Sequence, residues 1–296
     1  MIRLKFTGLL SILMLIQQPA NHDVLTLIDN DQPIMTVDRE ELVFPLPNTP
    51  LMDLHHLDIL TAELSQQVYI EPKNAILDEH GNLQPEQLGY QLDKRAFHTL
   101  YHSYFYSKGA KTLKVPKKPI YPGVDSELLS RIRQQAIGYY VTYFNSYNTS
   151  RTNNIRKSSE AINNYVLFPG QTFSFNEVVG QRTKERGYMP APIIVRGELS
   201  EGVGGGICQV SSTLFNAVDR AGLKIVKRYS HSKRVPYVPP GRDATVSWYG
   251  PDFVFMNNYK HPILIRSKVR GGSVSILLYT SDDVNVEHNQ VPSMYQ

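Results

Sequence analysis

The stretch with the clearest chemical potential is Gly204-Gly205-Gly206-Ile207-Cys208-Gln209-Val210-Ser211-Ser212-Thr213, which holds the only cysteine among 296 residues. Ile207, Val210, Leu214, Ala217, Val218 and Ala221 recur at three- and four-residue intervals, so the residues after the glycines read as a helix with one apolar stripe. Ser211, Ser212, Asn216 and Asp219 leave its other side polar, and Gly222 stands where a helix commonly stops. Cys208 therefore falls in the first turn. Unpaired backbone N–H groups and the helix dipole favour negative charge there. A thiol so placed loses its proton more readily, and the thiolate is the nucleophile. Gly204, Gly205 and Gly206 leave room for a second backbone or a ligand beside the sulfur. The alternative is a small buried hydrophobe, the usual state of a free cysteine.

A nucleophile needs a base. The helix over residues 207–221 is about 21 Å long at 1.5 Å per residue. A strand over residues 223–231 spans about 26 Å at 3.3 Å per residue. If Gly222 reverses the chain, the strand returns along the helix and His231 arrives at the level of Cys208. Leu223, Ile225, Tyr229 and His231 share one side of that strand, which directs the imidazole toward the helix. A thiol and an imidazole so paired suit covalent acyl transfer. Asp243, in Gly241-Arg242-Asp243-Ala244-Thr245-Val246, is the candidate to orient the ring; a turn or cap aspartate is the competing reading. The N–H groups of Cys208 and Gln209 would meet an oxyanion. In the cluster Arg182, Lys184, Glu185 and Arg186, a guanidinium fork suits a substrate carboxylate; a solvated loop is the alternative. The substrate-binding candidates are thus Arg182, Gly204, Gly205, Gly206, Gln209 and Ser211.

Other chemistries find less support. No second cysteine and no nearby His-x-x-x-His pairing exist for zinc, so no metal and no other cofactor are expected. Gly-x-Ser-x-Gly is absent, as is a glycine-rich nucleotide fingerprint after a strand. The net charge of +4 is compatible with weak attraction to anionic wall polymers or lipid headgroups and gives no sign of nucleic-acid binding.

The elements that must position these residues belong to two expected α+β domains, over residues 23–120 and 121–296. Residues 1–22 read as an export signal or membrane anchor: Arg3 and Lys5 precede an apolar stretch over residues 6–16, too short to span a bilayer comfortably. Export places the chain outside the cytoplasmic membrane, where a lone thiol pairs with another chain or is kept for reactivity. Strands are expected at residues 24–28 and 35–37, and a helix at 53–67 whose His55 and His56 are solvated or interfacial rather than metal ligands. A hairpin turns at 78–82, a helix runs from 89 to 107 with Asp93 as N-cap, and residues 112–116 form a strand. After a Pro116–Pro122 linker come a helix at 126–138, a strand at 139–144 and a helix in the second half of 151–165. Strands follow at 193–195, 224–229, 244–248, 253–255, 263–269 and 274–279. The second domain is thus one long helix packed on antiparallel strands.

Pro169-Gly170-Gln171-Thr172-Phe173-Ser174-Phe175-Asn176, Gly180-Gln181-Arg182-Thr183, Gly187-Tyr188, the glycine–cysteine stretch, His231-Ser232, Gly241 to Val246, Asp252-Phe253 and Asn257-Asn258 together resemble the VanW family, over residues 125–280 in order. Residues 70–120 resemble, less specifically, a peptidoglycan-binding domain that often precedes it. The resemblance implies a bacterial cell-envelope protein of a family named from vancomycin-resistance clusters. Some members are L,D-transpeptidases that form 3-3 peptidoglycan cross-links with the motif cysteine, a role that falls here on Cys208. Peptidoglycan stem peptides are then the expected partners. The competing functions are a non-catalytic wall-binding module that supports wall maintenance or glycopeptide resistance, and a papain-like endopeptidase.

Overall fold

The computed structural model describes residues 23–44, 51–195 and 198–293. The export-signal expectation, on residues 1–22, lies outside the described residues. Contacts divide the chain into two compact units, one of residues up to Pro72 with Leu88–Tyr121, the other of Lys73–Gln87 with Pro122 onward. Both mix helices and strands, and the fold class is α+β.

In the first unit, strands Val24–Asp29 and Gln32–Asp38 form a hairpin, and Lys111–Lys114 pairs parallel to Val24–Asp29. Asn30 and Asp31 at the turn both have positive φ, 47° and 61°, which suits the twist of a tight hairpin. Helices Leu54–Gln67 and Lys94–Phe105 begin at Asp53 and Asp93, whose carboxylates accept from the first-turn N–H groups. Their apolar stripes meet Leu25 and Leu27 in a core with Leu57, Leu60, Leu64, Phe97 and Tyr101. Residues 89–92 are not the helix start expected from sequence. They form a strand paired with Lys117–Ile120, and the helix waits for its cap at Asp93.

The second unit is built on a four-stranded antiparallel sheet in the order Gln135–Tyr143, Ser273–Thr280, Ile263–Arg270, Tyr165–Leu167. Ile207–Arg220, here the central helix, packs on the first two of these strands, and helix Thr149–Ile162 packs on Ile263–Arg270. A smaller sheet of Thr172–Ser174, Val254–Met256 and Lys224–Lys227 supplies Phe173 and Phe255, whose rings stack at 4.9 Å. Hairpin Pro190–Val195/Glu198–Val203 stands apart as its own two-stranded sheet.

Four expectations are corrected. The helix expected at 126–138 ends at Ile132, and the strand begins at Gln135. Gly138 lies inside that strand because a Cβ there would meet the Ala217 carbonyl at 2.3 Å; the central helix approaches the strand too closely for any side chain. The second unit holds two long helices, not one, since Thr149–Ile162 starts more than two turns early, on the Asn148 cap. The return strand after the central helix covers only Lys224–Lys227 and is bulged. Residues 244–248 form no strand; their backbone pairs with helix side chains instead, as described below.

Candidate active site

Cys208 is the second residue of the central helix. Gly206, its N-cap, has φ 105°, a left-handed conformation that glycine alone adopts cheaply. The space beside the glycines is filled by protein. A Cβ on Gly205 would meet the Ala191 and Pro192 carbonyls at 2.5 and 2.6 Å, so the neighbouring hairpin backbone occupies that room. The Asn154 amide locks the arrangement. It donates to the carbonyls of Met189 (2.8 Å) and Gly205 (3.0 Å) and accepts from Met189 N–H (2.8 Å).

The polar stripe of the helix faces protein, not solvent. Ser211, Ser212, Thr213 and Asn216 are fully buried. Ser212 Oγ accepts from Ala244 N–H (2.9 Å), Ser211 Oγ donates to the Ala244 carbonyl, and Asn216 donates to the Arg242 carbonyl (2.8 Å). A buried backbone must satisfy its polar groups, and here serine and asparagine side chains do what a neighbouring strand would otherwise do. Residues 242–246 are thereby laid along the helix, which brings Asp243 and Thr245 to its N-terminal end. Ser211, expected to touch substrate, is spent on this docking and does not line the cleft.

His231 joins from the irregular segment after the short return strand. Its Nδ1 lies 2.7 Å from Asp243 Oδ2, and its backbone N–H donates to the same oxygen at 2.6 Å. The two side chains are 7 % and 9 % exposed, so little solvent screens the pair. The ring lies close enough to the Cys208 sulfur for each to shift the other's ionisation. Since Nδ1 is taken by Asp243, Nε2 is the nitrogen left to serve the thiol. The sulfur also lies 3.5 Å from the Val246 carbonyl and 3.8 Å from Thr245 Oγ1.

The electrostatics follow from these contacts. Burial pushes the Cys208 thiol up, but the hydrogen bond and charge of His231, with the Val246 backbone and the Thr245 hydroxyl, bring it below its ordinary value. Burial works against charge on His231, yet its bonds to Cys208 and Asp243 hold the ring above the ordinary imidazole value. Burial likewise opposes ionisation of Asp243, and its bonds to the His231 backbone and ring hold the carboxyl below the usual range. All three shifts favour a thiolate–imidazolium pair backed by a carboxylate. At the helix start, Ile207 N–H is engaged by the Gly204 carbonyl (3.3 Å) and Gln209 N–H by the Gly206 carbonyl (3.0 Å). Of the two oxyanion donors expected, the Gln209 N–H is therefore occupied, and that of Cys208 has no carbonyl partner among the described residues.

The sulfur opens into a cleft of about 920 Å³ lined by Arg151, Arg182, Gly204, Gly205, Gly206, His231, Tyr237, Trp248 and Tyr249, among others. This is the upper end of the size range for small-molecule sites. Gln209 reaches it, but its amide is used internally. It accepts from Arg151 Nη2 (2.7 Å) and donates to Thr142 Oγ1 (2.9 Å) and the Tyr143 carbonyl (3.0 Å). Of the charged cluster at 182–186, Arg182 alone lines the cleft, while Lys184, Glu185 and Arg186 are exposed. Arg151, Tyr237, Trp248 and Tyr249 were not anticipated. Tyr237 is held far above the usual phenol range, by burial first and the nearby thiolate second. The turn carrying Trp248 and Tyr249 is fixed by Asn176, which donates to the Ser247 (2.9 Å) and Pro251 (3.1 Å) carbonyls. No set of three or more His, Cys, Asp or Glu side chains suited to a metal occurs among the described residues.

Comparison with known proteins gives these residues a family. The model of the VanW like protein family matches residues 150–279, which include every residue of the thiol–imidazole–carboxylate set. The chain is 56 % identical over 293 residues to the uncharacterized protein YoaR of Bacillus subtilis (strain 168), covering 99 % of this chain and 95 % of that one. It is 30 % identical over 106 residues to the vancomycin B-type resistance protein VanW of Enterococcus faecalis (strain ATCC 700802 / V583), covering 34 % of this chain and 38 % of that protein. No solved structure matches it. The chain belongs to the VanW-like protein family.

Proposed function

We propose that the protein is a cysteine acyltransferase of the cell envelope, an L,D-transpeptidase acting on peptidoglycan stem peptides. The observation that supports this reading most strongly is the Cys208–His231–Asp243 set, whose thiol and imidazole line a peptide-sized cleft. The kinship with a protein named for vancomycin resistance agrees with a cell-envelope role. Export by the N-terminal segment would deliver the chain to that substrate.

In the first step the Cys208 thiolate attacks the carbonyl of the diamino acid in a tetrapeptide stem. The Sγ–C bond forms, and charge develops on the carbonyl oxygen near the helix start, where the Cys208 N–H and the helix dipole offset it. The C–N bond to the terminal D-alanine then breaks, and the His231 imidazolium gives its proton to the departing amine. Free D-alanine leaves a thioester. In the second step a side-chain amine of a neighbouring stem attacks the thioester and passes its proton to His231. The C–N bond of the cross-link forms as the C–S bond breaks. Asp243 holds Nδ1 throughout and stabilises the charged ring.

The test is mass spectrometry of disaccharide-tetrapeptide incubated with the purified protein. Release of D-alanine with 3-3 dimers that Cys208→Ala abolishes supports the reading. Cleavage inside existing cross-links with no new dimer would indicate an endopeptidase. Products unaffected by Cys208→Ala would defeat both.

A further inference from the structure

The glycine run has a second consequence. A Cβ on Gly204 would lie 3.2 Å from Arg182 Cβ, and one on Gly206 would lie 2.8 Å from Arg151 Cγ. The two glycines therefore admit the stems of two arginines beside the first turn of the helix, and both arginines line the cleft.

Neither guanidinium has a carboxylate partner among the described residues. Both terminal nitrogens of Arg182 are buried without a hydrogen-bond partner among the described residues, and the group lies 5.9 Å from the Phe175 ring centroid. The acid nearest in charge effect, Asp252, is committed to Ser174 Oγ (2.6 Å) and the N–H groups of Asn176 (2.9 Å) and Phe253 (2.8 Å). Arg151 is braced by Gln209 at 2.7 Å through one nitrogen, which fixes its direction and leaves the rest of its fork for the cleft. A buried cation without a partner is costly. Two guanidinium groups without a carboxylate partner among the described residues, one of them with buried unpartnered nitrogens, leave beside the thiolate an excess of positive charge that an anionic ligand would neutralise. A guanidinium fork matches a carboxylate bidentately.

We propose that the cleft selects an acyl donor carrying two carboxylates. Arg182 receives the terminal carboxylate of the departing residue, and Arg151 receives a carboxylate on the acyl residue itself. This deepens the L,D-transpeptidase reading and rests on it for the identity of the donor. Recognition of the terminal carboxylate makes the enzyme an exopeptidase-like acyltransferase, since an internal peptide bond presents no such group.

Two experiments separate the clamp from that reading. The first needs no peptide. Iodoacetate and iodoacetamide differ by one carboxylate beside the reactive carbon, so their ratio of Cys208 alkylation rates reports carboxylate capture next to the sulfur. The wild-type ratio is expected at least about tenfold above that of a small free thiol, the scale of one charged hydrogen bond. Arg182→Gln abolishes that excess, and Arg182→Lys, which keeps the charge, restores part of it. A wild-type ratio equal to that of a free thiol overturns the proposal. So does an Arg182→Gln variant that shifts the pH of alkylation and leaves the ratio intact, since the arginine would then serve the thiolate alone.

The second experiment uses paired tetrapeptide donors, free or amidated at the terminal carboxylate, and free or amidated at the second carboxylate of the diamino acid. Each amidation lowers kcat/KM about tenfold to a hundredfold in the wild type. The terminal penalty vanishes in Arg182→Gln and the other in Arg151→Gln. Turnover indifferent to both amidations overturns the clamp and leaves the transpeptidase standing. A raised iodoacetate ratio with no turnover of any donor overturns the transpeptidase and leaves Arg182 as an anion site.

Discussion

Asp243 serves His231 twice, through the ring Nδ1 and through the backbone N–H, both on Oδ2. Asp243→Asn weakens both bonds and offers the ring a donor as readily as an acceptor. The expected cost is a hundredfold to ten-thousandfold in turnover, roughly the span seen when an orienting carboxylate is lost. The same variant carries a signature in stability. The carboxyl is held below the usual range, so its contribution is complete above about pH 4 and is lost as pH falls through its lower folded value. His231 runs the other way. Its folded value is raised, so its contribution is complete below about pH 6.5 and is lost as pH rises through that raised value. Urea midpoints of wild type and Asp243→Asn should therefore differ most between these limits and converge as the solution is acidified. A gap that widens on acidification would contradict the assignment. Cys208, His231 and Asp243 were all legible as residue types, because a lone cysteine after glycines and a later histidine leave few alternatives. Arg151, Tyr237 and the Trp248-Tyr249 turn were not, because nothing local marks an arginine or an aromatic ring as facing a cleft assembled from distant segments.

At the scale of elements, the central helix carries its information on its polar side. The apolar stripe was readable from spacing, and Val210, Leu214, Ala217 and Val218 are fully buried as that stripe requires. The serines and Asn216 read only as a polar side, with Ser211 a substrate-binding candidate, yet they hold residues 242–246 in place. Periodicity cannot distinguish a polar face that meets water from one that meets backbone. Ser212→Ala removes the acceptor for the buried Ala244 N–H and should cost about 1–3 kcal/mol. Because the same segment carries Asp243, activity should fall in step with Tm, and a destabilised variant with full activity would detach the docking from the site. The return strand teaches a related lesson. Alternation along residues 223–231 placed His231 toward the helix, but the strand ends at Lys227 with a register shift after Ile225. Side-chain parity does not survive a bulge. His231 reaches the sulfur because Asp243 draws it there, not because a regular strand delivers it.

For the whole molecule, the unit that holds the site is larger than the run of residues around the motif. The hairpin over residues 76–84 belongs to the same unit, and Leu77 shares a buried cluster with Leu129, Ile132 and Leu264. Arg266 donates to the Leu77 and Asp78 carbonyls, each at 2.7 Å. Sequence alone could find the hairpin from its Asp-Glu-His-Gly-Asn turn, but nothing in it says which core the hairpin joins. Leu77→Ala should lower the stability of this unit by about 2–4 kcal/mol and move the thermal transition reported by Cys208 protection. Loss of the hairpin's contribution with no effect on that transition would assign it elsewhere. Among the described residues no helix is long and apolar enough to cross a membrane.

The most direct measurement is the rate of Cys208 alkylation by iodoacetamide across pH, in the wild type and in His231→Ala. A thiolate–imidazolium pair requires the wild-type rate to inflect well below the ~8.5 of a free thiol, and the variant to inflect higher than the wild type, because burial is then opposed only by the smaller effects of the Val246 backbone and the Thr245 hydroxyl. A single inflection at the ordinary thiol pH, shared by both proteins, would contradict the pairing on which the catalytic reading depends.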